Sequence, residues 1–107
     1  MKPLSTIIPD CVVWTTNDAL ANAMNISLTQ LRRDAAVLKA LGLIRQLQLE
    51  ETQQRYKGFD RRDSEIMWLF RQLVRERGRT QAINSIHQTI EEFYHRERDR
   101  QESSRAS

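Results

Sequence analysis

The chain has 107 residues, of which 39% are hydrophobic and 29% charged, and its formal net charge is +3. This length accommodates one globular domain and leaves no room for a separate catalytic or effector domain. The single cysteine, Cys11, excludes an intramolecular disulfide and a thiolate zinc cluster, and no uncharged apolar run approaches the ~20 residues that span a bilayer. Two prolines and an aspartate interrupt the first ten residues, so no secretion signal is expected and a cytoplasmic protein is predicted.

The excess positive charge lies in the middle of the chain. Residues 29–62 contain eight basic and four acidic side chains, whereas the segments on either side are close to neutral. A basic zone between neutral ones is typical of a surface that binds a polyanion, and also of a basic surface that faces only solvent. The charge distribution leaves both interpretations open.

Two helices joined by a very short turn are predicted first. Thr15 with Asp18 has the spacing of a capping box for the first helix, and Ser27 with Gln30 has the same spacing for the second. Gly42 supplies the C-terminal end of the second helix. The apolar positions of this helix repeat at helical spacing: Leu28, Leu31, Ala35 and Leu38. Such a pair is typical of a helix-turn-helix.

A β-hairpin is predicted after Gly42. Apolar and polar residues alternate over residues 44–50, and residues 55–59 can return as the second strand. The solvent side of this hairpin carries Arg45, Arg55 and Lys57. A basic hairpin that follows a helix-turn-helix corresponds to the wing of a winged helix.

Two further helices are predicted in the second half of the chain. Asp60 with Asp63 caps the third helix, which ends at Gly78, and Thr80 opens the fourth. The third helix has an apolar stripe formed by Ile66, Leu69, Phe70, Leu73 and Val74. The stripe of the fourth helix is formed by Ile83, Ile86, Ile90 and Phe93.

The outer part of the fourth-helix stripe, together with Trp68 on the opposite side of the third helix from Ile66 and Phe70, suggests a subunit interface. Ile83 and Ile86 are expected to pack on the third helix, whereas Ile90 and Phe93 are assigned, with Trp68, to a two-fold dimer interface. The alternatives are that Ile90 and Phe93 belong to the core of the same chain and that Trp68 is covered by the N-terminal arm. The sequence leaves these alternatives open.

The outward face of the second helix carries the candidate base contacts. With Leu31 facing the core, a rotation of about 100° per residue places five side chains on the opposite side: Thr29, Gln30, Arg33, Ala36 and Val37. Arginine can pair with guanine and glutamine with adenine, and a small alanine allows close approach to the groove. The candidate contacts to the DNA backbone are Arg32, Arg45, Arg55, Lys57, Arg61 and Arg62. A polar face that is merely solvated is the alternative.

No catalytic, metal or cofactor motif is found in the sequence. His87 and His95 are eight residues apart, rather than the four that place two ligands on one face of a helix. The three glycines form no phosphate-binding loop. We therefore expect a protein that is not an enzyme and that holds no metal or cofactor.

Two stretches resemble known DNA-binding regulators. Residues 20–27, 31–34 and 38–44 are similar to the helix-turn-helix of bacterial winged-helix transcription regulators. Residues 55–63, with the helices that lead past Gly78 to Ile83, resemble the wing and following helix pair of MerR-type regulators. The resemblance implies a mostly α fold with a small β-hairpin, in which the second helix enters the major groove and the wing lies on the backbone. Ligand or metal sensing is not carried over from that family, so no small-molecule effector is expected.

The leading interpretation is a sequence-specific protein that binds double-stranded DNA, regulates transcription and works as a homodimer. Its expected organisation is an N-terminal arm over residues 1–14, a winged helix-turn-helix with C-terminal helices over 15–96, and a disordered polar tail over 97–107. The alternative is a winged-helix adaptor that binds other proteins rather than DNA.

Overall fold

The computed structural model describes residues 2–44 and 58–106 and is mostly helical, with one small antiparallel sheet. The elements in chain order are a 3-10 helix (Leu4–Thr6), β1 (Trp14–Thr16), α1 (Asn17–Met24), α2 (Leu28–Ala40), β2 (Gly58–Asp60), α3 (Arg61–Arg77) and α4 (Arg79–Ala106). The predicted class, mostly α with a little β structure, is confirmed at this level. The predicted hairpin has strands over residues 44–50 and 55–59. Residues 45–57 lie outside the described residues, and residues 58 and 59 belong to β2, which pairs with β1.

The sheet joins the segment before α1 to the segment before α3. Thr15 in β1 stands opposite Phe59 in β2, and Thr16 stands opposite Gly58. A Cβ atom at Gly58 would lie 2.2 Å from the carbonyl oxygen of Thr15, so this close approach requires glycine. The sequence predicts that residue 14 ends the N-terminal arm and that residue 15 begins the first helix. It does not predict that these residues form a strand paired with β2.

The first helix begins one residue later than predicted. The hydroxyl oxygen of Thr16, not that of Thr15, accepts a hydrogen bond from the backbone N–H of Ala19 at 3.2 Å. Thr15 is buried within β1, and its strand conformation moves the N-cap to the next residue. The expected Thr15 cap is therefore wrong.

The predicted N-caps of α2 and α3 and the predicted end of α2 are confirmed, whereas α4 begins at Arg79, one residue before the predicted Thr80. The hydroxyl of Ser27 accepts from the N–H of Gln30 at 3.1 Å, and the carboxylate of Asp60 accepts from the N–H of Asp63 at 2.7 Å. Gly42 follows α2 with a φ of +74°, the left-handed conformation that ends helices.

The turn between α1 and α2 is tight. Asn25 adopts the left-handed conformation with a φ of 57°, which the short polar side chain of asparagine tolerates better than most. The backbone N–H of Ile26 donates back to the carbonyl of Ala21 at 3.0 Å, and Ile26 is half-buried. The two helices are therefore held closely together, as the sequence predicts for a helix-turn-helix.

One hydrophobic core is built around α3, which contacts α4, α2, the sheet and the 3-10 helix. The predicted stripe of α3 is buried, apart from the half-buried Val74. Leu4 and Ile8 of the arm are also buried in this core, and the side-chain amide of Gln72 exchanges two hydrogen bonds with the backbone of Lys2, each 2.9 Å long. The arm is thus part of the folded domain.

Two side chains assigned to a dimer interface lie in the core of the chain itself. Trp68 is 7% exposed and Ile90 is 8% exposed. Phe93 is half-buried and makes an edge-on contact with Tyr94, with ring centroids 5.6 Å apart. The assignment of Trp68 and Ile90 to a partner surface is corrected, because each is already covered by other residues of the same chain. Ile83 and Ile86 pack within the chain, as predicted.

The fourth helix continues to Ala106, whereas the sequence predicts a disordered tail over residues 97–107. Its charged C-terminal part has no apolar stripe, and helical backbone requires none. Across residues 2–44 and 58–106, no helix combines the length and the apolar character that crossing a membrane requires.

Candidate nucleic-acid interface

The outward face of α2 is exposed and positively charged. Thr29, Arg33 and Ala36 are exposed, as predicted, and Arg32 and Lys39 lie in solvent beside them. Two other predicted members of this face, Gln30 and Val37, are half-buried, and Val37 packs against the hydrophobic core. The exposed face is therefore narrower than helical periodicity alone indicates.

The sole acidic residue of α2, Asp34, is fully buried. One carboxylate oxygen, Oδ2, accepts hydrogen bonds from Nε and Nη2 of Arg71 at 3.2 and 2.5 Å. The other, Oδ1, accepts from Nη1 of Arg79 at 3.1 Å and from Nε2 of Gln30 at 2.9 Å. Because this carboxylate faces inward, every exposed charge on α2 is positive.

These contacts attach α2 to the two helices behind it. The Arg71 side chain, on α3, is 10% exposed, whereas that of Arg79, at the start of α4, is 39% exposed. Arg75, one turn after Arg71, donates from Nη2 to the backbone carbonyl of Met24 at the end of α1. Side chains from α3 therefore form hydrogen bonds with both α1 and α2.

The sequence analysis missed Asp34 and Arg71 as a pair. Asp34 lies three residues after the buried Leu31, and Arg71 lies four residues after the buried Met67, so each is on the buried face of its helix. Charged residues of opposite sign on two core-facing helix positions are the signal that could have found them, because a buried charge requires a partner.

Arg61 has a different role from the predicted contact with the DNA backbone. Its Nη1 donates to the carbonyls of Pro9 at 2.8 Å and Val12 at 3.3 Å. Its Nη2 donates to the carbonyl of Ile8 and the carboxylate of Asp10, both at 3.2 Å. These bonds direct the guanidinium toward the N-terminal segment, so the structure assigns Arg61 to holding that segment against α3.

Arg62 is exposed, and its guanidinium carbon lies 5.9 Å from the centre of the Tyr94 ring. The Tyr94 hydroxyl donates to the Glu65 carboxylate at 3.0 Å. Burial, and then the negative charge of Glu65, raise the pKa of Tyr94 above its ordinary value. These contacts join the start of α3 to α4 and leave Arg62 accessible to a phosphate.

Three of the predicted backbone contacts, Arg45, Arg55 and Lys57, lie outside the described residues. His87 and His95 are both exposed. In the part of the chain that the structure describes, no group of three or more His, Cys, Asp or Glu side chains could hold a metal ion.

Comparison of the chain with protein-family models, with curated proteins and with solved structures finds no match. The resemblance to winged-helix and MerR-type regulators therefore stays a prediction from the sequence motifs.

Proposed function

We propose that this chain binds double-stranded DNA in a sequence-specific manner by inserting α2 into the major groove. The observation that carries the proposal is the outward face of α2, whose thirteen residues are all described and which exposes no acidic side chain. Arg32, Arg33 and Lys39 give this face its positive charge. A cluster of basic residues along one face of a helix is the electrostatic feature expected of a surface that binds a polyanion.

The shape of the face also fits a groove. The major groove, about 12 Å wide, admits an α-helix, and the exposed Ala36 leaves the α2 backbone free to approach the bases. Arg33 can donate two hydrogen bonds to guanine, and Thr29, in the first turn, lies where a recognition helix contacts base edges. Arg32 and Lys39 are available for flanking phosphates.

A wing beside α2 belongs to the same proposal. In a winged helix, the last strand of the wing leads into the following helix, and β2 occupies that place immediately before α3. Its pairing with β1 anchors the end of the proposed wing next to the helix-turn-helix. Arg45, Arg55 and Lys57 would then lie on the DNA backbone beside α2, with Arg62 at the start of α3.

Selection from a randomised duplex library, followed by gel shifts at two salt concentrations, tests this function. The Arg33→Ala variant should bind the selected sequence about 1–3 kcal/mol more weakly while its stability stays unchanged, because Arg33 is exposed. Arg96→Ala is the matched control, since Arg96 is also exposed and lies about 25 Å along α4 from Arg79.

The proposal fails if the wild-type chain binds no duplex, or if Arg33→Ala and Arg96→Ala have equal effects. A chain that binds no DNA would favour the adaptor function. Homodimerisation is a separate expectation, and sedimentation of the wild-type chain tests it.

A further inference from the structure

We infer that Asp34 is a positioning residue that fixes the side-chain amide of Gln30 and so makes Gln30 select adenine at one position of the DNA site. This inference rests on the proposed function. It concerns the hydrogen bond between the buried Asp34 and Gln30, which lies beside the outward face of α2.

Gln30 lies between the core and the groove-facing side of α2. It is the third residue of the helix, next to the exposed Thr29 and one turn before the exposed Arg33. The first turn of a recognition helix is where base edges are contacted. Gln30 is half-buried, and its Nε2 donates to Oδ1 of Asp34 at 2.9 Å.

Asp34 permits one orientation of that amide. An ionised carboxylate only accepts hydrogen bonds, so the –NH2 end of Gln30 must face Asp34, and the reversed amide would direct Oε1 at a negative oxygen. The carboxylate is itself held by Arg71 and Arg79. A glutamine on an open helix face has no such constraint.

The fixed orientation determines which base Gln30 complements. One of its two N–H groups is committed to Asp34, which leaves one N–H donor and the Oε1 acceptor. The major-groove edge of adenine offers one acceptor, N7, and one donor on N6, whereas guanine offers two acceptors, N7 and O6. Gln30 held in this way therefore matches adenine and lacks the second donor that guanine requires.

The first test uses the full-length chain and its selected duplex, with Gln30→Met as the variant. Methionine keeps the length of the side chain and removes both hydrogen-bonding groups. Wild type should prefer adenine at one position by about 5- to 150-fold, and Gln30→Met should lose that preference and no other. Replacing this adenine with 7-deazaadenine or with purine should weaken wild type and leave Gln30→Met unaffected.

The second test addresses Asp34. In Asp34→Asn, the new amide can donate to Oε1 of Gln30 and turn that side chain over, which frees both of its N–H groups. The preference at the same position should then shift from adenine toward guanine. Uniformly weaker binding to every sequence by a folded Asp34→Asn variant would overturn the positioning role.

A measurement on the wild-type protein replaces the second test if Asp34→Asn does not fold. In the 15N-labelled chain, one side-chain N–H of Gln30 should be protected from exchange and should shift little when DNA binds, while the other shifts. Equal exchange of the two N–H groups in free protein would contradict the inference. If wild type selects no sequence, the proposed function fails; if it does select one and Gln30→Met keeps every preference, this inference alone is wrong.

Discussion

Replacing Asp34 with alanine should lower the free energy of unfolding by about 3–5 kcal/mol, because it leaves the buried guanidinium of Arg71 without a counter-charge. The side chain of Arg71 is 10% exposed, so little of it is in contact with water. Arg79 is 39% exposed and more accessible to water, so its own contact with Asp34 should contribute less than about 1 kcal/mol. The expected loss is large against the roughly 5–15 kcal/mol of a typical domain.

Urea denaturation followed by far-ultraviolet circular dichroism measures this loss. Asp18→Ala is the matched control, since Asp18 is exposed in the first turn of α1 and its charge there contributes about 1 kcal/mol or less. The double variant Asp34→Leu with Arg71→Met should recover most of the stability, because apolar side chains can replace a buried ion pair at little cost.

Two results would refute this reasoning. A loss below about 1 kcal/mol for Asp34→Ala would mean that Arg71 finds another partner or water. A double variant no more stable than the single one would mean that Asp34 contributes through packing or helix geometry instead of its charge.

Three further changes test the packing. Ile90→Ala should lower the free energy of unfolding by about 2–5 kcal/mol, since Ile90 is buried in the core. A variant as stable as wild type would mean that Ile90 lies on the surface instead. Gly58→Ala should separate β1 from β2, because the new Cβ atom would meet the Thr15 carbonyl oxygen, and unchanged amide-exchange protection in β1 would contradict this. Because folding raises the pKa of Tyr94, the unfolded chain loses the hydroxyl proton of Tyr94 at a lower pH than the folded chain does. The free energy of unfolding of wild type should therefore have its full value below about pH 10 and decrease above it. Between pH 8 and pH 11, urea denaturation of Tyr94→Phe should show a smaller decrease in the free energy of unfolding than wild type shows. An equal decrease would mean that burial and Glu65 do not raise the pKa of Tyr94.

Local chemistry explains why several elements could be predicted. A cap such as Ser27 or Asp60 satisfies a backbone N–H three residues away, so its effect is contained in a short stretch of sequence. Gly42 ends α2 for a similar reason, because its left-handed conformation strains other residues. The same local information identified Thr29, Arg33 and Ala36 as the exposed face of α2. It did not identify Gln30 as half-buried. Gln30 and Asp34 lie one turn apart, but the inward position of Asp34 depends on Arg71 and Arg79 in other helices.

The sequence by itself therefore determined the helices, most of their ends and the basic outward face of α2, since each depends on neighbours within about one helical turn. Only the tertiary structure decided which charged residues are free to meet a ligand. Arg61 and Arg62 are adjacent in sequence, yet one is bound to carbonyls near residue 10 and the other is exposed. Asp34 and Arg71 are 37 residues apart, and each can be buried only because the fold brings the other to it. Helical periodicity shows which side of a helix faces inward. Which residues of other helices contact that side depends on how the whole chain packs.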